Sequence, residues 1–273
     1  MNKTIKSILV VIFCVCTIAA AVDYQVPLVM VAPVVDGNSL PGEWDGGLDV
    51  SIAYPGILSV GGTDISASSP SVSDCSADVK LLWDADNLYM YVRVYDENKT
   101  FTKNYPGPYN GQDCFQAAFN LLNNPDAIFV QDAPIYDFTA NTANSAGASV
   151  YCHGIYNADN LTVAGKEFED GWQMEIAIPW QATYQHFARP GDRHGFSLLL
   201  VDYDGSATVE NFLTDFGNGV NTISDIATWN TITLIGEDGC GANGRFAGDL
   251  DGDCYVNITD FAALAAQWAQ GTL

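Results

Sequence analysis

The chain has 273 residues, and its 33 acidic and 10 basic side chains give a formal net charge of −23 at pH 7. Such a field repels nucleic acid and anionic lipid, so we expect neutral ligands or cations as partners and no nucleic acid. The length allows one large domain with a small appendage.

The N-terminus has the order of a secretory signal peptide. Lys3 and Lys6 precede an apolar run at residues 8–18, and three alanines follow at 19–21. The run is too short to span a bilayer comfortably, and no second long apolar run follows it. We therefore expect a signal peptide at 1–21, a secreted or cell-surface protein that begins near Val22, and no membrane attachment after cleavage. A retained N-terminal membrane anchor is the alternative.

Residues 22–236 carry strand patterns separated by glycine, proline and asparagine turns. Runs rich in β-branched and aromatic residues predict strands at 79–83, 88–95, 115–122, 171–179, 196–203 and 231–235. Pro179 stops one of these runs, as happens in an edge or terminating strand. No long stretch of this region shows a helical apolar period. We therefore predict an all-β domain, an antiparallel β-sandwich, whose core contains Trp44, Trp83, Trp172 and Trp180.

The sequence pattern changes after the strand-rich region at 22–236. Residues 237–248 are rich in glycine and acidic residues and are predicted to be a linker. Apolar residues then recur at helical spacing, which predicts an amphipathic helix from Asp260 to Gln270. Residues 249–273 therefore form a separate unit, in which the helix has an apolar face of Phe261, Leu264, Ala265 and Trp268.

The segment before this helix has the spacing of a calcium loop. Oxygen-bearing side chains fall at loop positions 1, 3, 5, 9 and 12, and position 7 can add a backbone carbonyl. Calcium takes six to eight oxygen ligands, so this pattern suits it. Cys254 departs from the glycine that position 6 usually requires, and an acidic turn without metal is the alternative. The predicted ligands are Asp249, Asp251, Asp253, Tyr255 (through its carbonyl), Asn257 and Asp260.

Five cysteines remain once the signal peptide is removed, namely Cys75, Cys114, Cys152, Cys240 and Cys254. An odd number leaves at least one thiol without a partner in the same chain. Cys240 and Cys254 are close in sequence and are the preferred disulfide, which would contribute about 3 kcal/mol if unstrained. We expect any second bridge to join Cys114 with Cys152.

The calcium loop and its helix resemble one type I dockerin repeat. The matching residues are the Gly-Asp-Leu-Asp-Gly-Asp opening at 248–253 and the Asn-Ile-Thr-Asp-Phe closing at 257–261. Dockerins normally carry two such repeats and bind cohesins of multi-enzyme assemblies or cell-surface scaffolds. The resemblance therefore implies a cohesin-like partner that contacts Ile258 and Thr259. With one repeat, the apolar helix face is expected to pack on the linker, on the sandwich or on a partner.

The body resembles carbohydrate-binding module family 9, a β-sandwich related to DOMON-type domains. Matching pieces occur in the family's order over residues 33–236: Val35-Asp36-Gly37 with Glu43-Trp44, the hairpin at 78–96, Gln112-Asp113, Glu175 before Ile178-Pro179-Trp180, and the stretch 191–234. The sequence departs from the family at Gln116, where glutamate is usual, and in a long insertion at 127–164. The resemblance implies recognition of a polysaccharide or oligosaccharide.

The resemblance also indicates where sugar would bind. Pyranose faces stack on aromatic rings, and sugar hydroxyl groups pair with amides and carboxylates. The family holds the end of a sugar chain between aromatic residues from two loop regions. No tryptophan aligns at either stacking position, and Asp113 could instead serve structure or a second calcium ion. The predicted sugar-binding residues are Tyr105, Tyr109, Gln112 and Asp113 in the first region and Phe216 in the second.

Three other protein classes remain open. Paired carboxylates could hydrolyse glycosides, but no nucleophile elbow, metal-binding helix motif or phosphate loop occurs, and the three histidines are scattered. A haem domain of the DOMON kind would need an axial histidine or methionine that faces a pocket. A surface or scaffold component would bind protein through its sandwich and be attached through the dockerin-like unit, which the odd number of cysteines and the single repeat also fit.

We predict a secreted, non-catalytic carbohydrate-binding protein with calcium as its cofactor. A non-catalytic subunit of a polysaccharide-degrading assembly is an alternative to the free protein.

Overall fold

The computed structural model of the protein describes residues 22–52, 59–60, 63–64, 71, 73–101, 112–128, 132–140, 146–153, 158–204, 211–214, 226–236 and 258–269. None of the helices in these ranges is long and apolar enough to cross a membrane. The strands described are β1 (Asp23–Pro27), β2 (Leu48–Ile52), β3 (Ser59–Val60), β4 (Thr63–Asp64), β5 (Cys75–Trp83), β6 (Asn87–Asp96), β7 (Cys114–Asn120), β8 (Ile135–Ala140), β9 (Ala148–His153), β10 (Thr162–Phe168), β11 (Gly171–Pro179), β12 (Arg193–Asp202), β13 (Asn211–Thr214) and β14 (Asn230–Ile235). The α-helices described are α1 (Trp180–Tyr184) and α2 (Ile258–Ala269).

Two sheets enclose one apolar core. The larger sheet has the strand order β1-β14-β12-β7-β8-β9, with β13 paired to β12, and the smaller sheet has the order β10-β11-β6-β5-β2. Strand β1 runs parallel to β14, and the other pairings in both sheets are antiparallel. Strands β3 and β4 form a separate two-stranded antiparallel sheet. The predicted antiparallel β-sandwich is confirmed.

The core follows from the period-two alternation of the strands. Alternate residues of β6 and β12, such as Met90, Val92 and Leu198, point into the space between the sheets and are no more than 1% exposed. The four tryptophans predicted to be buried are all at most 3% exposed. Full burial of one large apolar side chain contributes roughly 1.5–3 kcal/mol, so the apolar residues between the sheets stabilise the fold strongly. Trp44 is the exception in place, since it packs in a separate apolar cluster.

Two details differ from the sequence prediction. Strand β11 ends at Pro179 as expected, but it is an interior strand that pairs with both β10 and β6. Proline is tolerated there because it is the last residue of the strand. Helix α1 follows at once, and its five residues are too few to show a helical period in the sequence.

The predicted bridge between Cys114 and Cys152 is wrong. Cys114 starts β7 and packs on the outer face of the larger sheet, whereas Cys152 on β9 packs against the inner core. Strand β8 separates the two strands, and Cys152 lies level with Ala117, three residues from Cys114. A disulfide requires Cα atoms within roughly 7 Å of each other, so these thiols cannot join. Both are free, as is Cys75, while the preferred pair at 240 and 254 lies outside the described residues.

The larger sheet is covered on its outer face as well. Strands β7 and β8 are buried at every residue, which hides their alternation in the sequence. We call the apolar part of this cover the outer apolar cluster. It lies over one side of the outer face and consists of Cys114, Ala118, Ala133, Ile135, Leu199, Val201, Tyr203, Ile226 and Trp229.

Replacing Gly171 with alanine should destabilise the sandwich by about 2–5 kcal/mol, the sum of a left-handed backbone penalty and a steric clash. Gly171 begins β11 at φ +135°, and a Cβ atom there would lie 2.1 Å from the carbonyl oxygen of Val94. Urea denaturation measures the effect.

Gly46 is the matched control for this substitution. It also has a positive φ, +78°, but a Cβ atom there meets no described atom within 4 Å. Gly46→Ala should therefore cost only about 1 kcal/mol. Equal losses at Gly46 and Gly171 would show that backbone conformation, and not the contact with Val94, decides the effect.

Candidate functional site

A polar network lies beside the outer apolar cluster on the outer face of the larger sheet. Gln116 on β7 donates from Nε2 to Asp137 Oδ1 on β8 at 2.6 Å, and Asp137 Oδ2 lies 2.5 Å from His153 Nε2 on β9. The ring of Tyr151 meets the His153 ring edge-on, with centroids 4.9 Å apart. We call these four residues the outer polar cluster. Three adjacent strands thus place an amide, a carboxylate, an imidazole and a phenol on one face.

The burial of this cluster is uneven. Gln116 is 1% exposed and Asp137 is 2% exposed, whereas Tyr151 is 37% exposed. Burial raises the pKa of Asp137, and its hydrogen bond to His153 works in the opposite direction. Gln116 Oε1 has no hydrogen-bond partner among the described residues, although it is buried. A buried acceptor of this kind costs about 1–3 kcal/mol when it is left unsatisfied, so it calls for a donor.

The sequence alone did not identify this cluster. Gln116 stood out only as a departure from the family pattern, and Asp137 and His153 lie in the insertion at 127–164. That insertion supplies β8 and β9, the strands that extend the larger sheet beyond β7. No short motif links residues that meet only through strand pairing, so no sequence signal would have found the group.

The predicted sugar-binding residues divide into two sets. Gln112 and Asp113 are each 1% exposed and precede β7. Asp113 accepts hydrogen bonds from the backbone amides of Thr100 and Tyr203, so it joins three segments of the fold. Its role in sugar binding stays a prediction. The remaining predicted residues, Tyr105, Tyr109 and Phe216, lie outside the described residues.

Asp113 also belongs to a buried group of three carboxylates, which we call the acidic cluster. Asp96 ends β6, Asp113 precedes β7 and Asp202 ends β12, and one oxygen from each lies within 4.8 Å of the others. Burial and the neighbouring Asp96 raise the pKa of Asp113 to about 9, and burial also raises the pKa of Asp96. Oxygen donors at this separation suit calcium, and without a cation the group has to retain protons.

The predicted calcium loop is described only at its last position. Asp260 is 3% exposed and lies in the first turn of α2, where a carboxylate interacts favourably with the helix dipole. Helix α2 begins two residues before the predicted start. The other predicted ligands, Asp249, Asp251, Asp253, Tyr255 and Asn257, lie outside the described residues, as do Cys240 and Cys254.

One known protein family matches most of the sandwich. Residues 55–237 match the family described as carbohydrate family 9 binding domain-like. The chain belongs to this family. Residues 55–237 span both sheets of the fold, so we refer to the sandwich from here on as the family 9 domain.

Curated relatives share the domain within much longer proteins. The chain is 25% identical over 162 residues to an Exoglucanase XynX from Acetivibrio thermocellus and to an Endo-1,4-beta-xylanase A from Thermoanaerobacterium saccharolyticum. Each match covers 59% of this chain but only 14% and 13% of the respective relative. The chain thus spans about one seventh of the length of these proteins.

A solved structure has the same fold. A family 9 carbohydrate binding module from Caldicellulosiruptor kristjanssonii, in complex with cellotriose, matches with a TM-score of 0.57 and 20% identity. The match covers 78% of this chain and 94% of that one. The same module in complex with glucose matches equally well, with 96% of its chain covered. The likeness therefore covers about four fifths of the chain.

The acidic cluster should make the stability of the family 9 domain depend on pH. The folded pKa of Asp113 is raised to about 9, whereas an unfolded aspartate titrates near pH 3.9. The folded state therefore binds a proton that the unfolded state lacks, and stability should fall as pH rises from about 4 to about 9. Urea denaturation after chelator treatment measures this, and Asp113→Asn should flatten the slope.

Repeating the urea denaturation with added calcium shows whether the acidic cluster only shares protons or also binds the ion. If the three carboxylates share protons only, added calcium leaves the difference between the wild type and Asp113→Asn unchanged. If they bind the ion, calcium restores stability at high pH in the wild type and not in the variant. A wild-type slope equal to that of Asp113→Asn without calcium would contradict the raised pKa of Asp113.

Proposed function

We propose that this chain is a secreted, non-catalytic carbohydrate-binding protein whose sugar site is the outer polar cluster of the family 9 domain. The observation that carries the proposal is the hydrogen-bonded row from buried Gln116 and Asp137 to His153, which is partly exposed beside the ring of Tyr151. A sugar hydroxyl group is a donor and an acceptor at once. It would bond to His153 at the exposed end of this row, while Asp137 and Gln116 hold the imidazole in place.

The surroundings of the cluster suit a pyranose. Tyr151 offers a partly exposed ring at the open side, next to His153, whose side chain is 29% exposed. The segment with Tyr105 and Tyr109 leads directly into β7, and Phe216 follows β13 by two residues. We propose that these three aromatic residues stack on the apolar faces of the sugar, while the outer polar cluster holds its hydroxyl groups.

The proposed ligands are plant or algal polysaccharides and their chain ends. The solved family 9 module is complexed with cellotriose and with glucose, and one curated relative is an endo-1,4-beta-xylanase. Cello- and xylo-oligosaccharides are therefore the first probes. Because the matched domain spans about one seventh of the enzymes that share it, we propose a binding role and no catalytic step for this chain.

Calorimetric titration of the mature chain (22–273) with cello- and xylo-oligosaccharides tests the function. We expect millimolar or tighter binding to one of them, and we expect Tyr109→Ala to abolish it because a stacking ring contributes about 1–3 kcal/mol in comparable aromatic contacts. Tyr24→Ala, on β1 at the far side of the larger sheet, is the control and should bind normally. If no oligosaccharide gives a heat of binding, the proposal of carbohydrate binding is overturned.

We also propose that the C-terminal unit binds calcium through residues 249–260 and attaches the chain to a cohesin-like partner. Helix α2 supports this proposal because its large apolar residues are exposed, Phe261 at 65%, Leu264 at 39% and Trp268 at 77%. An apolar helix face needs a partner to cover it. Pull-down with immobilised cohesins in calcium should retain the chain, and Trp268→Ala or a chelator should release it. Retention that ignores both would contradict the proposal.

A further inference from the structure

Two histidines and an aspartate meet at the turn between α1 and β12, far in sequence from the outer polar cluster. His186 follows the end of α1, Asp192 precedes β12, and His194 is the second residue of β12. One ligand atom from each lies within 4.8 Å of the others. His186 Nε2 is 2.9 Å from Asp192 Oδ2, and the rings of His186 and His194 are perpendicular, with centroids 5.4 Å apart.

The buried histidine of this group is prepared to act as a ligand. His194 is 2% exposed, and its Nδ1 lies 2.7 Å from the carbonyl oxygen of Leu121. A carbonyl only accepts, so Nδ1 carries the proton and Nε2 keeps its lone pair. Among the described residues, Nε2 has no hydrogen-bond partner. Metal-bound histidines commonly donate their other ring N–H to a backbone carbonyl, which fixes the tautomer and the ring orientation.

The other two ligands are partly open to solvent. The side chains of His186 and Asp192 are 27% and 21% exposed, and Asp192 Oδ2 also accepts the backbone N–H of Arg189. This bond fixes the carboxylate in the turn. The contact between His186 and Asp192 requires a proton on Nε2, and a cation can take the place of that proton. The bond from His194 Nδ1 to Leu121 already leaves Nε2 with a lone pair, as coordination requires.

We propose that His186, Asp192 and His194 form a binding site for a divalent transition-metal ion of the zinc class. Two imidazoles and one carboxylate are borderline ligands that favour zinc and its neighbours over calcium, which takes oxygen ligands. Three protein ligands leave one tetrahedral position, which the partial exposure of the site allows water to fill. The ion would join the α1–β12 turn to the end of β7 through the bond from His194 to Leu121.

The competing explanation is a structural hydrogen-bond group. The rings of Trp180 and His194 are 5.5 Å apart, so His194 also serves packing. Packing does not satisfy its Nε2 atom, however, and an apolar side chain would fill the same space without a buried polar cost. A hydrogen bond between His186 and Asp192 alone would leave His194 Nε2 without a partner. Coordination accounts for all three side chains together.

Zinc titration of the chelator-stripped mature chain tests the site. Saturating calcium is present throughout, so that oxygen-only sites are occupied and do not compete. We expect one equivalent of zinc to bind and to raise the thermal midpoint of the domain, because a ligand that binds only the folded state stabilises it. Cobalt in place of zinc should give visible absorption that reports nitrogen coordination.

The variants separate this site from adventitious zinc binding. Loss of a residue that only orients a ligand typically costs 10–100-fold in metal affinity, so His186→Gln and Asp192→Asn should each weaken zinc by about 100-fold or more. Both side chains are partly exposed, so these variants are expected to fold, which His194→Gln need not do. His153→Gln removes the one histidine outside the group and should leave zinc affinity unchanged.

Two results would overturn the proposal. One is a wild-type chain that takes up no zinc and shows no shift in its thermal midpoint. The other is uptake that is as tight in His186→Gln and Asp192→Asn as in the wild type, or that is lost equally in His153→Gln. Zinc bound by free thiols would give equally tight uptake in the wild type and in both variants, because Cys152 and the other cysteines are intact in every variant.

Discussion

Replacing Asp137 with asparagine should weaken glycan binding at least about tenfold while leaving the fold at least as stable as the wild type. A hydrogen bond to a charged acceptor contributes about 1.5–3 kcal/mol, and asparagine of nearly the same shape removes the charge. Asp137 is also the residue that holds both Gln116 and His153. Its loss therefore disturbs the whole outer polar cluster, and calorimetric titration with the bound oligosaccharide measures the change.

The stability half of this prediction follows from the pKa of Asp137. Burial raises it, so the folded state favours the protonated carboxyl more than the unfolded state does. The sign of the linkage is then fixed: stability from this group is complete below the unfolded pKa and is lost as pH rises through the folded pKa. As pH rises above the unfolded pKa, the aspartate therefore loses stability that asparagine, which does not titrate, keeps. A thermal midpoint equal to or above that of the wild type is expected.

Asp78→Asn is the control for this substitution. Asp78 lies on β5 in the smaller sheet, is exposed and bonds the hydroxyl of Ser51, so the same chemical change there should alter neither binding nor stability by more than about 0.5 kcal/mol. A loss of stability in Asp137→Asn with unchanged glycan affinity would show that the outer polar cluster supports the fold and does not bind sugar.

Replacing Glu175 with alanine should destabilise the family 9 domain by about 3–5 kcal/mol, because three donors lose their acceptor and each buried one costs about 1–3 kcal/mol. Glu175 lies on β11 and is 0% exposed. Its carboxylate accepts the backbone amides of Asp36 at 3.0 Å and Gly37 at 2.8 Å, and the indole N–H of Trp44 at 3.2 Å. Alanine leaves three donors without an acceptor.

These bonds fasten the N-terminal segment over the smaller sheet. Trp44 packs there with Leu82, Tyr89 and Ala177 in a separate apolar cluster. Burial also raises the pKa of Glu175, so the ionised form has a cost at neutral pH that offsets part of the gain from its bonds. The unsatisfied donors outweigh this offset, since each buried one costs about 1–3 kcal/mol.

Two further variants show which part of Glu175 matters. Glu175→Gln keeps one oxygen for the two backbone amides but turns an N–H group toward Trp44, so roughly half the loss is expected. Glu169→Ala, at an exposed turn beside β11, should stay within about 0.5 kcal/mol of the wild type. Chemical denaturation gives all three values. A Glu175→Ala chain as stable as Glu169→Ala would contradict the proposed role.

Much of the fold could be predicted because strand patterns are local. The hairpin of β5 and β6 shows alternation and a turn signal within about twenty residues, and its bounds differ from the prediction only at the ends. The order of strands could not be predicted in the same way. Strand β1 pairs parallel with β14, and their paired residues are 208 positions apart, as for Asp23 and Thr231. Neither segment contains a local sequence signal that identifies the strand with which it pairs.

The candidate sites show the same division. The resemblance to family 9 indicated sugar binding and drew attention to Gln112, Asp113 and Gln116, but the residues that surround Gln116 lie in the insertion at 127–164. The folded structure shows surroundings for these residues that the sequence does not. Asp113 belongs to a buried acidic cluster. Gln116, which the sequence marks only as a departure from the family pattern, has a buried oxygen without a hydrogen-bond partner among the described residues.

The class of fold, the buried tryptophans, the family and the C-terminal helix could all be recognised from the amino-acid sequence. Each of these depends on composition, on a period of two or 3.6 residues, or on a motif read along the chain. The groups of polar residues that meet become visible in the folded structure alone. Asp137 reaches Gln116 and His153 because β7, β8 and β9 pair in one register, and a shift of one residue would turn Asp137 toward the core. Register is set by the packing of both sheets together, so no local pattern contains it.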